Sequence, residues 1–206
     1  MTLDLPALEA QAADRALAIL GGFHEDGGTI LLLGPDPTIF WPTLQAAPEA
    51  LGPDPVDRWS TRVIGTWAAK IGAEARFPFG HPVQPFVTWA LKTGRCHVSP
   101  VGLLVHDAQG LLVSFRGALV LDRKIALPAP PPRPCDGCPA PCRTACPVDA
   151  LSPQGYDIPA CRAWLAGPEG NCMAQGCAAR RACPVSPARP DAQAAHHMRA
   201  FAGEAA

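Results

Sequence analysis

Eight cysteines fall between residues 135 and 183, spaced like metal ligands. The stretch "PCDGCPAPCRTACPVDA" (134–150) reads C-x2-C-x3-C-x3-C-P and supplies Cys135, Cys138, Cys142 and Cys146, followed by Pro147. Then come Cys161, Cys172, Cys177 and Cys183, the last again followed by a proline, Pro184. A cubane iron–sulfur cluster needs four thiolates approaching from four corners. Three closely spaced cysteines on a loop reach three irons, and the fourth arrives from elsewhere. In two-cluster ferredoxins the cysteine before proline ligates the other cluster, because the chain there leaves one cubane and passes the second. Two Cys-Pro endings mark two such crossings. The expected ligands are Cys135, Cys138, Cys142 and Cys183 for one cluster, and Cys146, Cys161, Cys172 and Cys177 for the other. The run carries one residue more between Cys138 and Cys142 than the usual C-x2-C-x2-C-x3-C-P, and the later group is stretched to x4 and x5. Extra residues can bulge outward without moving the ligands. Two all-thiolate zinc sites are the alternative use of eight cysteines, but such sites usually come as separated C-x2-C pairs, and the later group has none.

The remaining composition narrows the function classes. Among 206 residues, 17 Lys+Arg stand against 18 Asp+Glu, so no basic field points to nucleic acid. "MTLDLPALEAQAADRALAIL" (1–20) carries acids where an export signal has a basic region, and no stretch approaches the roughly 20 apolar residues of a membrane helix. A cytoplasmic protein without membrane contact is expected. The one cysteine outside the cluster, Cys96, makes the total odd. An odd count, tight clustering and no export signal favour metal over disulfides; Cys96 reads as a buried small apolar residue.

These ligands need elements to position them. "LPAPPPRP" (127–134) has five prolines in eight residues and reads as an extended linker. It separates an α+β domain (1–126) from an iron–sulfur module (135–190), followed by a helical tail (191–206). In the first domain, helical spacing from Leu5 to Leu20 ends at Gly21-Gly22, and "TILLLG" (29–34) reads as a buried strand. A short helix is expected in "PTIFWPTLQAAPEAL". "PVDRWSTRVIGTWAAKI" (55–71) puts Val56, Trp59, Val63 and Trp67 on one helical face, and a further helix is expected over Gln84–Lys92. "VGLLVHDAQGLLVSFRGALVLD" (101–122) reads as two strands around the turn Asp107–Gly110. No dinucleotide fingerprint or P-loop is present.

Residues 135–184 resemble the iron–sulfur domain of epoxyqueuosine reductase and its corrinoid-dependent relatives, including the reductive dehalogenases. The shared pattern is a four-cysteine run ending in Cys-Pro, a lone cysteine (here in "YDIPACRAWL"), and three more ending in Cys-Pro. Upstream, "DPVDRW", "GHPVQPF" and "VGLLVHDAQGLLVSFRGALVLDRKIALPAPPPRPCDGC" are similar to the B12-trafficking chaperone family of combined methylmalonic aciduria and homocystinuria, type C. The pairing implies a nitroreductase-like α+β domain of corrinoid-chaperone type followed by a ferredoxin-like two-cluster domain. It also implies electrons passing from two [4Fe–4S] clusters to cobalamin or another corrinoid, with His81 as a corrinoid contact and a redox partner protein as their source. The chain would then act as a corrinoid-dependent or cobalamin reductase-like oxidoreductase. It lacks the tRNA-handling part of epoxyqueuosine reductase, and no catalytic acid is placed by motif. A plain ferredoxin with a docking domain and a zinc-stabilised interaction protein are the alternatives. Of the remaining residues, the tryptophans suit either core packing or cofactor stacking, and Arg116 either a ligand's anionic or carboxamide group or an ion pair. Arg180-Arg181 suit either charge beside a cluster or a solvated face. His97, His106, His196 and His197 read as ordinary structural or solvated residues.

Overall fold

In a computed structural model of the chain, which describes residues 3–168 and 171–203, the apolar run around Ile30–Leu33 becomes an inner strand. This strand, β2 (Gly28–Pro35), is buried along its whole length. It pairs antiparallel with β1 (Leu17–Glu25) through a two-residue turn at Asp26-Gly27, both at positive φ (49° and 81°). That is the turn geometry an Asp-Gly pair favours between twisted strands. A helix, α1 (Leu5–Ala13), precedes β1.

The expectation of a helix from Leu5 to Leu20 is therefore corrected. The helix stops at Ala13, and Gly21-Gly22 lie inside β1, beside a bulge between Ile19 and Gly21. The apolar run Leu17–Leu20 fits a buried strand as well as it fits a helix face, and periodicity alone does not separate the two. A Cβ at Gly22 would meet the Leu31 side chain at 2.6 Å, so strand pairing requires the glycine that resembled a helix stop.

After α2 (Phe40–Gln45) comes α3 (Pro55–Ile71), which opens on Pro55 and closes on Gly72 in the left-handed conformation. Its inner face is Trp59, Ile64, Trp67 and Ala68, all buried. Phe40 meets Trp59 edge-on at 5.2 Å, and the Trp67 indole N–H donates to Gln11 Oε1 at 2.9 Å. The short β3 (Glu74–Arg76) and α4 (Phe86–Lys92) follow, then β4 (Cys96–Val98) and β5 (Leu104–His106), which form a small sheet of their own. The next strand, β6 (Gly117–Leu121), returns to the main sheet, whose order is β1-β2-β6-β3.

The reading of 101–122 as one hairpin is also corrected. The turn closes locally, with His106 and Gly110 exchanging both backbone hydrogen bonds, but β6 pairs with β2 and β3 instead of β5. The turn residues specify the reversal at 107–110 and nothing beyond it. Gly117 fits where a Cβ would stand 2.8 Å from Ile64 Cδ1, and this close approach seats β6 against α3.

The second half is built from short pieces: β7 (Leu151–Ser152), β8 (Gly155–Tyr156), α5 (Ile158–Ala166), α6 (Cys172–Gln175), α7 (Ala178–Arg181) and α8 (Asp191–Ala202). The chain thus mixes helix and strand in an α+β arrangement, and it divides into two compact units. One holds the described residues up to Cys96 together with Ser114–Pro131; the other holds His97–Val113 and the described residues from Pro132 onward. Segment 97–113 belongs to this second unit through hydrogen bonds to Arg180, Ser186 and Arg189. Leu111 N donates to Ser186 Oγ at 3.1 Å, Arg180 Nε to Leu111 O at 2.6 Å, and Arg189 to Gln109 Oε1 at 2.9 Å. Among the described residues, no helix is long and apolar enough to cross a membrane.

Candidate metal centre

The turn following Pro134 places Cys135 and Cys138, with Cys138 N–H donating to Cys135 O at 3.2 Å. Ala140 then takes a left-handed conformation (φ 52°, ψ 53°) and opens a single 3-10 turn, Pro141–Arg143, that buries Cys142. The residue in excess of the usual spacing is absorbed in this left-handed step, and Ala140 N–H points at the Cys138 sulfur at 3.4 Å. Two residues after α7 the chain reaches Cys183. These four thiols line one cavity, walled by Ser99, Pro100, Val105 and Leu111. Burial and the neighbouring thiols push Cys135 and Cys142 up from their ordinary values, with Cys138 and Cys183 among the causes for both.

The other four thiols line a second cavity. Cys146 leaves the first run and accepts from Ala150 N–H at 3.3 Å. Cys161 sits in the first turn of α5, whose start is capped by the Asp157 side chain accepting from Ala160 N at 2.9 Å. Cys172 opens α6, and Cys177 immediately precedes α7, near the N–H groups of Ala179 and Arg180 but without a capping hydrogen bond. Burial pushes Cys177 up, and those N–H groups with the Arg180 charge pull it back. Tyr156 Oη donates to Cys161 Sγ at 3.1 Å. Leu165, Trp164 and Met198 supply apolar wall.

The quartets are thus Cys135, Cys138, Cys142, Cys183 and Cys146, Cys161, Cys172, Cys177, grouped as the two Cys-Pro crossings require. Each crossing has its element: the 3-10 turn carries the chain from the first cavity toward Cys146, and α7 carries it from Cys177 to Cys183. None of the nine cysteines forms a disulfide. Among the described residues, no group of three or more His, Cys, Asp or Glu side chains is gathered about a point that could hold a single metal ion. Bare thiols raised by burial stay protonated at neutral pH, so filling either cavity with metal must release protons.

Several contributors lie outside the cysteine motifs. Val105 and Leu111 wall the first cavity from a segment whose sequence reads only as a hairpin. Gly110, at φ 54°, would drive a Cβ to 2.5 Å from Ser186 N, so this turn is closed directly over the chain that follows Cys183-Pro184. His106 is fully buried, and its Nδ1 accepts from Ala108 N and Gln109 N at 3.0 and 3.1 Å, a structural cap on that turn. Tyr156 stands in "YDIPACRAWL" five residues before Cys161, and that proximity is its signal in the sequence.

The α+β unit has its own pocket, open to solvent and walled by Phe79, Phe86 and Phe115, with Arg116 and Asp57 at its edge. Arg116 NH1 lies 3.7 Å from Asp57 Oδ1, and burial lowers Arg116 from its ordinary value and raises Asp57. His81 is exposed and is not among the residues lining this pocket, though Phe79 and Gln84 on either side of it are. Trp59, Trp67 and Trp89 are core residues, at most 4% exposed. Cys96 is buried as well. Arg180, half-buried, meets Leu111 O and His197 Nε2. Comparison with protein-family models, with curated proteins and with solved structures finds no match.

Proposed function

We propose that the chain is an electron-transfer protein carrying two [4Fe–4S] clusters in a ferredoxin-like module. One cluster is held by Cys135, Cys138, Cys142 and Cys183, the other by Cys146, Cys161, Cys172 and Cys177. The observation that carries this reading is the sorting of eight thiols into two cavities, four to each, in the crossed order. The donor set fits the group: four sulfurs per cavity, N–H and O–H donors aimed at several of them, and otherwise apolar walls. A cubane bound there supplies one-electron chemistry. The residues of the chain hold the irons, exclude water with Leu111, Leu165 and Met198, and set the potential through hydrogen bonds to sulfur.

The electrons are proposed to reach a corrinoid in the α+β unit, which we read as nitroreductase-like and of corrinoid-chaperone type, with a redox partner protein as their source. The solvent-open pocket beside Phe79, Phe86 and Arg116 supports a ligand on that unit. A second reading, a ferredoxin whose α+β unit docks a partner without a cofactor, is favoured by the burial of Trp59, Trp67 and Trp89 in the core, where they offer no stacking platform.

Paired substitutions test the ligand sets. Cys135→Ser with Cys183→Ser removes two ligands of one cluster and leaves about four irons of the original eight or so. Cys135→Ser with Cys146→Ser strikes both clusters and leaves neither intact. Equal iron in the two double variants would refute the crossed sets. Anaerobic titration of the reduced protein with cobalamin separates the two functions: cobalt reduction supports corrinoid delivery, and reduction of a protein acceptor alone supports the ferredoxin.

A further inference from the structure

Resting on that reading, we infer that the two clusters are unequal: the one closed by Cys161 has the higher potential, because Tyr156 donates a hydrogen bond to the Cys161 sulfur. Reduction adds negative charge to a cluster, and a donor aimed at one of its sulfurs stabilises the reduced form more than the oxidised one. Tyr156, the single tyrosine of the chain, is built for this. Its hydroxyl is 3.1 Å from Cys161 Sγ. Its backbone pairs with Leu151 across β7 and β8, and its ring stacks on Phe201 at 5.8 Å with 7° between planes. The Arg162 guanidinium covers the Phe201 ring at 5.7 Å. Strand pairing and ring stack hold the hydroxyl where it is, so the bond needs no reorganisation when the electron arrives.

The first cavity is served differently. Its donors to sulfur among the described residues are backbone N–H groups, Ala140 to Cys138 at 3.4 Å and one at Cys142, with no side-chain hydroxyl like that of Tyr156. Its nearby cations, Arg133 and Arg143, are exposed, and solvent screens them. The second cavity has the half-buried Arg180 beside Cys177 in addition to Tyr156. Both differences act in the same direction. One electron from an external one-electron donor therefore settles on the second cluster, with no proton transferred and Tyr156 keeping its own; the first cluster fills only when a second electron enters.

The test is an anaerobic potentiometric titration of the iron-loaded protein with dithionite, followed by electron paramagnetic resonance. Wild type should show two one-electron steps. Tyr156→Phe, which keeps the ring stack, should move the upper step down and leave the lower one unchanged. Phe201→Leu, which keeps the hydroxyl, should move neither step as far. In protein carrying Cys135→Ser, the single remaining step should be the upper one, and Tyr156→Phe should still lower it. The inference is overturned if Tyr156→Phe leaves both steps in place, if the lower step moves instead, or if Phe201→Leu reproduces the shift. Protein that takes up no iron and shows no steps would instead overturn the cluster reading and this inference with it.

Discussion

The two units of this chain are held together by different means. The α+β unit buries a conventional core, with Leu8, Leu31, Leu33, Leu44, Trp59, Ile64, Trp67 and Leu119 each at most 1% exposed. The cysteine unit has two small apolar clusters, and thiols form a large part of both. Cys142 packs with Val101, Val105, Leu111 and Leu151, while Cys172 packs with Leu165 and Met198. Its helices α6 and α7 are one turn long, and its short strands β7 and β8 share two residue pairs. With apolar clusters this small, the proposed metal ligation would be an expected source of its folding free energy. One unit has a conventional apolar core and the other, on the proposed cluster reading, would fold on its ligands, so they should respond separately to the loss of either.

The largest effect expected is from removing the metal. On the proposed cluster reading, stripping iron under denaturant-free conditions should open the whole cysteine unit, because metal binding then supplies folding free energy, while the α+β unit stays closed. Limited proteolysis reads this directly: new cuts should appear in both 97–113 and 132–203, and the sheet residues 17–35 should stay protected. Cuts confined to 132–203 would show that the 97–113 segment does not belong to the metal-dependent unit. The reciprocal experiment is Trp59→Ala. Emptying a fully buried indole site costs about 3–5 kcal/mol, which should lower the unfolding temperature of the α+β unit and leave iron content unchanged. A loss of iron in proportion would show that the two units fold as one.

The smallest effect concerns a single ion pair of the α+β unit. Glu49 is held by both arms of Arg62, with NH2 to Oε2 at 2.9 Å. That pairing brings its carboxyl down to about 2 from 4.5. A carboxylate lowered on folding contributes stability that is complete above its unfolded value and is lost as pH falls through the folded one. Wild type should therefore be the more stable protein above pH 4.5, and Glu49→Gln should close the gap between pH 4.5 and about 2. Thermal unfolding measured across that range checks the sign. A constant gap would mean that the pairing contributes nothing that titrates.

What the sequence disclosed follows the same division. Short-range signals were legible. The helix α3 runs from Pro55 to Ile71 as its apolar face predicts, and Ile30–Leu33 is a buried strand. The eight clustered cysteines line two cavities, four to each. Long-range pairing was not legible. Nothing in "GALVL" says that β6 joins β2 and β3, because an apolar strand is satisfied by any partner that buries it. The helical appearance of Leu17–Leu20 has the same origin, since the partner that makes it a strand lies beyond a turn. The roles of Leu111 and Ser186 depend on contacts made only after folding, and no local pattern marks them.

The central claim is that eight thiols hold two cubanes, and metal analysis tests it most directly. Protein purified without oxygen should contain about eight irons and eight acid-labile sulfides per chain, with the broad visible absorption of cubane clusters. Zinc in place of iron, or iron without sulfide, would contradict it.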